Sequence, residues 1–133
     1  MSLLKRVSSR TLAEPPPETF SHCLAGSGMI FVSGQHAGAA DGTIEGDGTM
    51  LSQATIALQK IKGLVEAAGG MMDDVAKLTV FVTDISQRSA ISEARRTFFK
   101  NDFPCSTLVE ITALAQPGLL VEIEAIALHA RGS

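Results

Sequence analysis

Thr49–Asp84 reads TMLSQATIALQKIKGLVEAAGGMMDDVAKLTVFVTD, and two side-chain periods meet within it. In the first part Leu51, Ala54, Leu58, Ile61, Val65 and Ala68 recur at steps of three and four, the apolar face of a helix. Gln53, Gln59, Lys60 and Glu66 fall on the other side. Gly69-Gly70 supplies the left-handed stop that a helix end favours. From Val75 to Thr83 the period drops to two. Leu78, Val80 and Val82 take one face and Lys77, Thr79 and Phe81 the other, which predicts a strand.

Working outward, residues 1–18 form a lead punctuated by Pro15, Pro16 and Pro17 and read as an extended connector. A strand over Phe20–Leu24, a turn at Gly26-Ser27-Gly28 and a second strand over Met29–Ser33 make a hairpin that Gly34 ends. His36–Gly48 is a glycine-rich loop. Downstream, Ser86 is placed to cap a second helix to about Asn101, with Ile91, Ala94 and Phe98 inward and Phe103-Pro104 as its stop. Thr107–Thr112 and Leu119–His129 read as strands around a turn at Gln116-Pro117-Gly118. Residues 19–130 thus form one domain, with 131–133 as a tail. Strand, strand, helix, strand, helix, strand, strand suits a two-layer α+β fold, one sheet with both helices on one face.

The uncovered face then carries Met29, Phe31, Phe81 and Leu128 beside Thr79, Glu122 and Glu124. A solvated face rarely mixes large apolar groups with carboxylates in this way, so other subunits are expected to cover it.

Composition narrows the function classes. The 133 residues are 45% hydrophobic and 19% charged, with net charge −3 and a mean hydropathy of +0.22, values of a globular domain with some apolar surface to hide. The basic residues are scattered and Trp and Tyr are absent, so no phosphate-neutralising stripe or base-stacking platform is visible and a nucleic-acid partner is disfavoured. No run has membrane-spanning or signal-peptide form, and Cys23 and Cys105 make neither a disulfide framework nor a metal spacing. His22, His36 and His129 also lack ligand spacing, so surface or hydrogen-bonded roles are expected. A cytoplasmic protein with no metal and no cofactor is the expectation.

Four motifs carry a family resemblance. Phe31-Val32-Ser33-Gly34-Gln35, the passage from Ala67-Ala68-Gly69-Gly70 to Asp74–Asp84, Phe98-Phe99 with Phe103-Pro104, and Val121-Glu122-Ile123-Glu124-Ala125-Ile126-Ala127 resemble successive motifs of the RidA (YjgF, endoribonuclease L-PSP) family. The likeness runs from about Phe20 to Leu128. It implies a chorismate-mutase-like fold, a homotrimer, and small-molecule clefts between subunits where reactive imines or enamines such as 2-aminoacrylate are hydrolysed. In such members an arginine two residues after the proline pairs with the substrate carboxylate. A backbone carbonyl just beyond it (Leu108 here) and the first glutamate of the closing strand (Glu122) hold the attacking water. This chain departs at Pro104-Cys105-Ser106, where Ser106 stands at the arginine position, and Phe20 replaces an upstream tyrosine.

Each candidate has a plainer rival. Ser106 is neutral and short, so the pocket either takes a different ligand or only binds, and weak 2-aminoacrylate turnover is expected. Glu122 is a candidate general base, whereas Glu122 and Glu124 read alone are interface carboxylates paired with a neighbour. Cys105 lies at the cleft by resemblance, but no activating motif accompanies it, and a buried inert thiol is expected for it and for Cys23. Ser33, Gly34 and Gln35 are expected to shape a strand end, which the resemblance places near the cleft. Arg95 and Arg96 are expected on a solvated helix face rather than reaching the cleft. Three functions remain: a RidA-like hydrolase of an imine, enamine or related metabolite; a trimer that binds a metabolite such as a carboxylate or imine without turnover; and, least favoured, a ribonuclease.

Overall fold

A computed structural model describes residues 2–130 of the chain; the expected tail at 131–133 lies outside them. In chain order the elements are β1 (Lys5–Arg6), β2 (Cys23–Gly26), β3 (Met29–Gln35), α1 (Met50–Ala67), β4 (Val75–Val82), α2 (Arg88–Phe98), β5 (Cys105–Glu110) and β6 (Val121–Leu128). One sheet runs in the order β1-β2-β3-β6-β4-β5. Only the β4–β5 pair is parallel; the other neighbours are antiparallel, so the sheet is mixed. Among the described residues no helix is long and apolar enough to cross a membrane.

Both helices pack on one face. Ile30, Leu78, Val80, Val82 and Ile123 rise from the sheet to meet Leu58, Ile61, Leu64 and Ile91, all fully buried. Each such side chain contributes roughly 1.5–3 kcal/mol of apolar burial. Thr49 starts α1, its Oγ1 accepting from the Ser52 N–H at 3.1 Å. At the far end Gly69, with φ of 94°, lets the Gly70 N–H reach back to Val65 O at 3.0 Å, the stop expected of the glycine pair.

Local expectations needed correction at several points. Gln53, read as outward, is buried because its amide serves the turn before β6, donating to Gly118 O at 2.9 Å and accepting from the Leu120 N–H at 2.8 Å. Ser86 does not cap α2. Asp84 instead takes the Ser86 N–H at 3.0 Å and opens a short 3₁₀ turn that leads into the helix. Phe98 is half-buried and Phe99 takes the inner place, because the helix ends and an extended Phe99 swings its ring inward. The first hairpin strand begins at Cys23, leaving Phe20 52% exposed. The lead is more than a connector: Lys5 and Arg6 pair with Ala25 and Leu24 and extend the sheet by one strand.

Candidate functional site

Strand β6 alternates strictly. Val121, Ile123, Ala125 and Ala127 point into the core, and Glu122, Glu124, Ile126 and Leu128 onto the face that no helix covers. Register sets their neighbours there: Phe81 beside Glu122, Thr79 beside Glu124, Phe31 beside Ile126 and Met29 beside Leu128. This is the mixed apolar and acidic face read from the sequence.

Glu122 has a prepared seat. Between Val32, which pairs with Ala125, and Gln35, which pairs with Ile123, Ser33 and Gly34 together oppose one residue, a β-bulge. Ser33 is held there by its hydroxyl donating to Ser21 O at 2.6 Å and its N–H to His22 O at 2.8 Å. Gly34 then lies against the Glu122 side chain so closely that a Cβ would collide with Oε2, Cδ and Cγ. The missing side chain makes room for the carboxylate.

Beside Gly34 opens a cavity of about 560 Å³, walled by Phe20, His22, His36, Lys60 and the Pro15–Pro16 stretch of the lead. Its cation is already spoken for: the Lys60 ammonium donates to His36 O at 2.8 Å and Gly38 O at 3.1 Å and pairs with Glu45 at 2.8 Å. His22 is fixed between Ala13 O, 3.0 Å from Nε2, and the Gln35 amide, 3.3 Å from Nδ1. His36 Nδ1 accepts from the Gly38 N–H at 3.0 Å. Burial pushes the His36 pKa down, the Glu122 charge pulls it up, and Lys60 and His22 lower it further. Hydrogen-bonded roles therefore hold for His22 and His36, while among the described residues His129 Nδ1 is buried without a partner. Among the described residues no three His, Cys, Asp or Glu side chains gather as a metal site.

The other candidates lie on β5, at the edge of the sheet. The Ile111 N–H donates to Val82 O at 2.8 Å, which sets the phase of the parallel ladder. Residues of the opposite parity, Ser106 and Leu108, therefore turn their N–H and C=O groups away from β4, toward the open edge. Cys105 is exposed, not buried as expected, because an edge strand has no neighbour to cover it; its side chain shares the uncovered face with Lys77, its register partner. Cys23 is the buried thiol, and burial raises its pKa to about 11.

Ser106 aligns with the buried Leu78, so its side chain lies on the helix side of the sheet, yet it is exposed. There it meets Arg95. The guanidinium donates to Ser106 Oγ at 2.8 Å through Nη1 and to Ser92 Oγ at 3.2 Å through Nη2. Arg95 therefore departs from the expected solvated role. Its direction is set by Ser92 one turn earlier on α2, a three-residue spacing that was present in the sequence as a signal.

Within one chain Glu122 and Ser106 do not meet. Phe81 is in register with both Glu122 and Val109, which puts β6 and β5 about 10 Å apart at two strand spacings. Ser106 is three residues further along β5 and on the opposite face.

Comparison with known proteins adds a separate line. Residues 11–129 match the family model described as Endoribonuclease L-PSP. A Capra hircus protein named 2-iminobutanoate/2-iminopropanoate deaminase is 32% identical over 129 residues, spanning 96% of this chain and 93% of that one. The crystal structure of a Pseudomonas aeruginosa protein of unknown function superposes with a TM-score of 0.85 at 37% identity, over 96% and 94% of the two chains. That of E. coli TdcF with bound serine gives a TM-score of 0.83 at 28% identity, over 95% and 99%.

Proposed function

Because the chain belongs to the endoribonuclease L-PSP (RidA/YjgF) family, we propose that it hydrolyses a small imine or enamine at clefts between the subunits of a homotrimer. The observation that carries this reading is the seat of Glu122: a carboxylate on an apolar, uncovered sheet face, given room by a side-chain-free residue at a bulge. A second subunit laid on that face would bring its own β5 edge, with the outward backbone groups of Ser106 and Leu108, toward Glu122. It would also cover Phe31, Ile126 and Leu128.

The reaction needs water and protein groups alone. Glu122 takes a proton from water as the oxygen adds to the imine carbon, then returns it to the nitrogen. Glu122 then carries the proton of the new hydroxyl to the amine, the carbon–nitrogen bond breaks, and ammonia and a carbonyl compound leave. An enamine first tautomerises to the imine. Phe20, Ser33 and Gly34 line the Glu122 side of the pocket and Cys105, Ser106 and Leu108 the other. An exposed thiol at Cys105 suits a reducing cytoplasm. The rival reading, binding without turnover, rests on Ser106, a neutral hydroxyl where carboxylate-pairing charge is wanted.

A coupled assay separates them. A pyridoxal-phosphate dehydratase generates the short-lived imine in place, and loss of the imine is followed with and without this protein. The expected result is acceleration, at a rate below that of a relative with arginine at the position of Ser106. Glu122→Gln should lower it by about 10²–10⁴-fold, the usual worth of a general base. If Glu122→Gln matches the wild type, Glu122 is not the base. No acceleration of any small imine, with keto-acid binding intact, would hand the site to the binding reading.

A further inference from the structure

Arg95 is held in an unusual way for an arginine near a helix end. Two neutral hydroxyls, Ser92 and Ser106, take one donor each, and among the described residues no carboxylate pairs with it. A guanidinium carries five N–H donors in a rigid plane, so most of its hydrogen-bonding capacity is left over. It is also only half-buried, open to an incoming ligand. Directly beside it runs the free edge of β5, where the N–H groups of Ser106 and Leu108 face outward without a strand to receive them. A fixed cation and outward backbone donors on one edge form an acceptor-binding surface.

We propose that Arg95 is the anion-recognising residue of this protein's cleft, taking the carboxylate of a small 2-imino or 2-oxo acid together with a backbone N–H of the β5 edge. The role is one of specificity. Arg95 selects a carboxylate-bearing ligand and positions it, while proton transfer belongs to Glu122. The inference rests on the cleft proposed above but concerns another residue on another element. In this arrangement Ser106 is the hydroxyl that aims the guanidinium, which gives the small residue at this position a use. The rival is a strut: Arg95 only pins β5 to α2.

Equilibrium binding decides between them. The probes are 2-oxobutanoate, the hydrolysis product of 2-iminobutanoate, and its uncharged amide, 2-oxobutanamide, titrated calorimetrically into the full-length assembled protein. Wild type should prefer the acid. Arg95→Gln should weaken acid binding by about 10- to 100-fold, the size of one charge-assisted contact, and leave the amide unchanged, so that the preference vanishes. Ser106→Ala provides a second route: it adds no charge to the cleft but releases the guanidinium from the hydroxyl that aims it, and should weaken acid binding while leaving the amide unchanged. A strut would let both variants keep the preference for the acid, and that result overturns the proposal. So does a wild type that binds acid and amide alike. Neither outcome touches Glu122, whose part is read separately from imine turnover in Glu122→Gln. If Arg95→Gln loses the preference while Glu122→Gln retains full turnover, Arg95 stands and the general-base reading falls.

Discussion

The two faces of β6 make different demands of the same eight residues. On one, Val121, Ile123, Ala125 and Ala127 are no more than 3% exposed and close against α1 and the neighbouring strands. On the other, Glu124, Ile126 and Leu128 are exposed and Glu122 half-buried, beside Phe31 and Phe81. The first face is complete within one chain. The second carries several large apolar side chains that no helix covers, and sets carboxylates among them. The pleat thus divides the strand: alternate residues hold the domain together, and those between stand on a face that no helix of the chain covers.

The largest effect that tests this separation comes from paired truncations. Ile123→Ala empties a fully buried site and should cost about 2–5 kcal/mol in denaturant unfolding, the range for such cavities. Ile126→Asp, three residues on and across the sheet, should leave the far-ultraviolet circular dichroism unchanged and act on assembly, lowering the sedimenting mass. If Ile126→Asp unfolds the chain as Ile123→Ala does, or leaves the mass untouched, the two faces are not divided as described.

A smaller effect sharpens the view of Glu122. Gly34→Ala places a methyl where the carboxylate now lies, and the atoms it meets belong to a flexible side chain, so Glu122 swings aside while the bulge persists. Gly34 has no positive φ among the strained positions, so alanine is tolerated by the backbone. Turnover should fall by about one to two decades, less than for Glu122→Gln, with the melting temperature within a few degrees of wild type. Unchanged turnover would mean that the seat of the carboxylate is irrelevant to the chemistry.

Much of this is legible in the sequence. The order of the elements followed from the change of period between α1 and β4 and from the glycine pair between them. The uncovered face followed from parity alone. What escaped was of two kinds. Strand β1 has two residues and no pattern, and exists because the lead returns to β2. The reach of Arg95 to Ser106, the exposure of Cys105 and the burial of Gln53 depend on which strand is at the edge and where a turn falls beside α1. Those are facts of tertiary placement that a one-dimensional period does not contain. Glu122 became a candidate through its motif, whereas its glycine seat depends on a bulge that no local pattern announces.

The smallest effect concerns His36, in the cavity beside Gly34. Its neutral ring accepts the Gly38 N–H at Nδ1, and burial disfavours the charged form; Lys60 and His22 act the same way and the Glu122 carboxylate opposes them. The net shift is downward from 6.5, so the unfolded chain takes up this proton first as the pH falls. Stability from His36 is therefore present above 6.5 and is lost as the pH drops through the lowered folded value. Asp41, Asp47 and Asp84 accept hydrogen bonds that hold their pKa values below 3.8, so their losses come at more acidic pH and leave this window clear. Denaturant midpoints measured from pH 7 down to about 5 should fall less steeply in His36→Asn than in wild type. Glu122→Gln should have the opposite effect. Removing the one charge that favours the imidazolium lowers the His36 pKa further and deepens the acid loss. Parallel curves for all three proteins would separate His36 from Glu122 electrostatically, and with it the idea that the cavity beside Gly34 and the carboxylate form one environment.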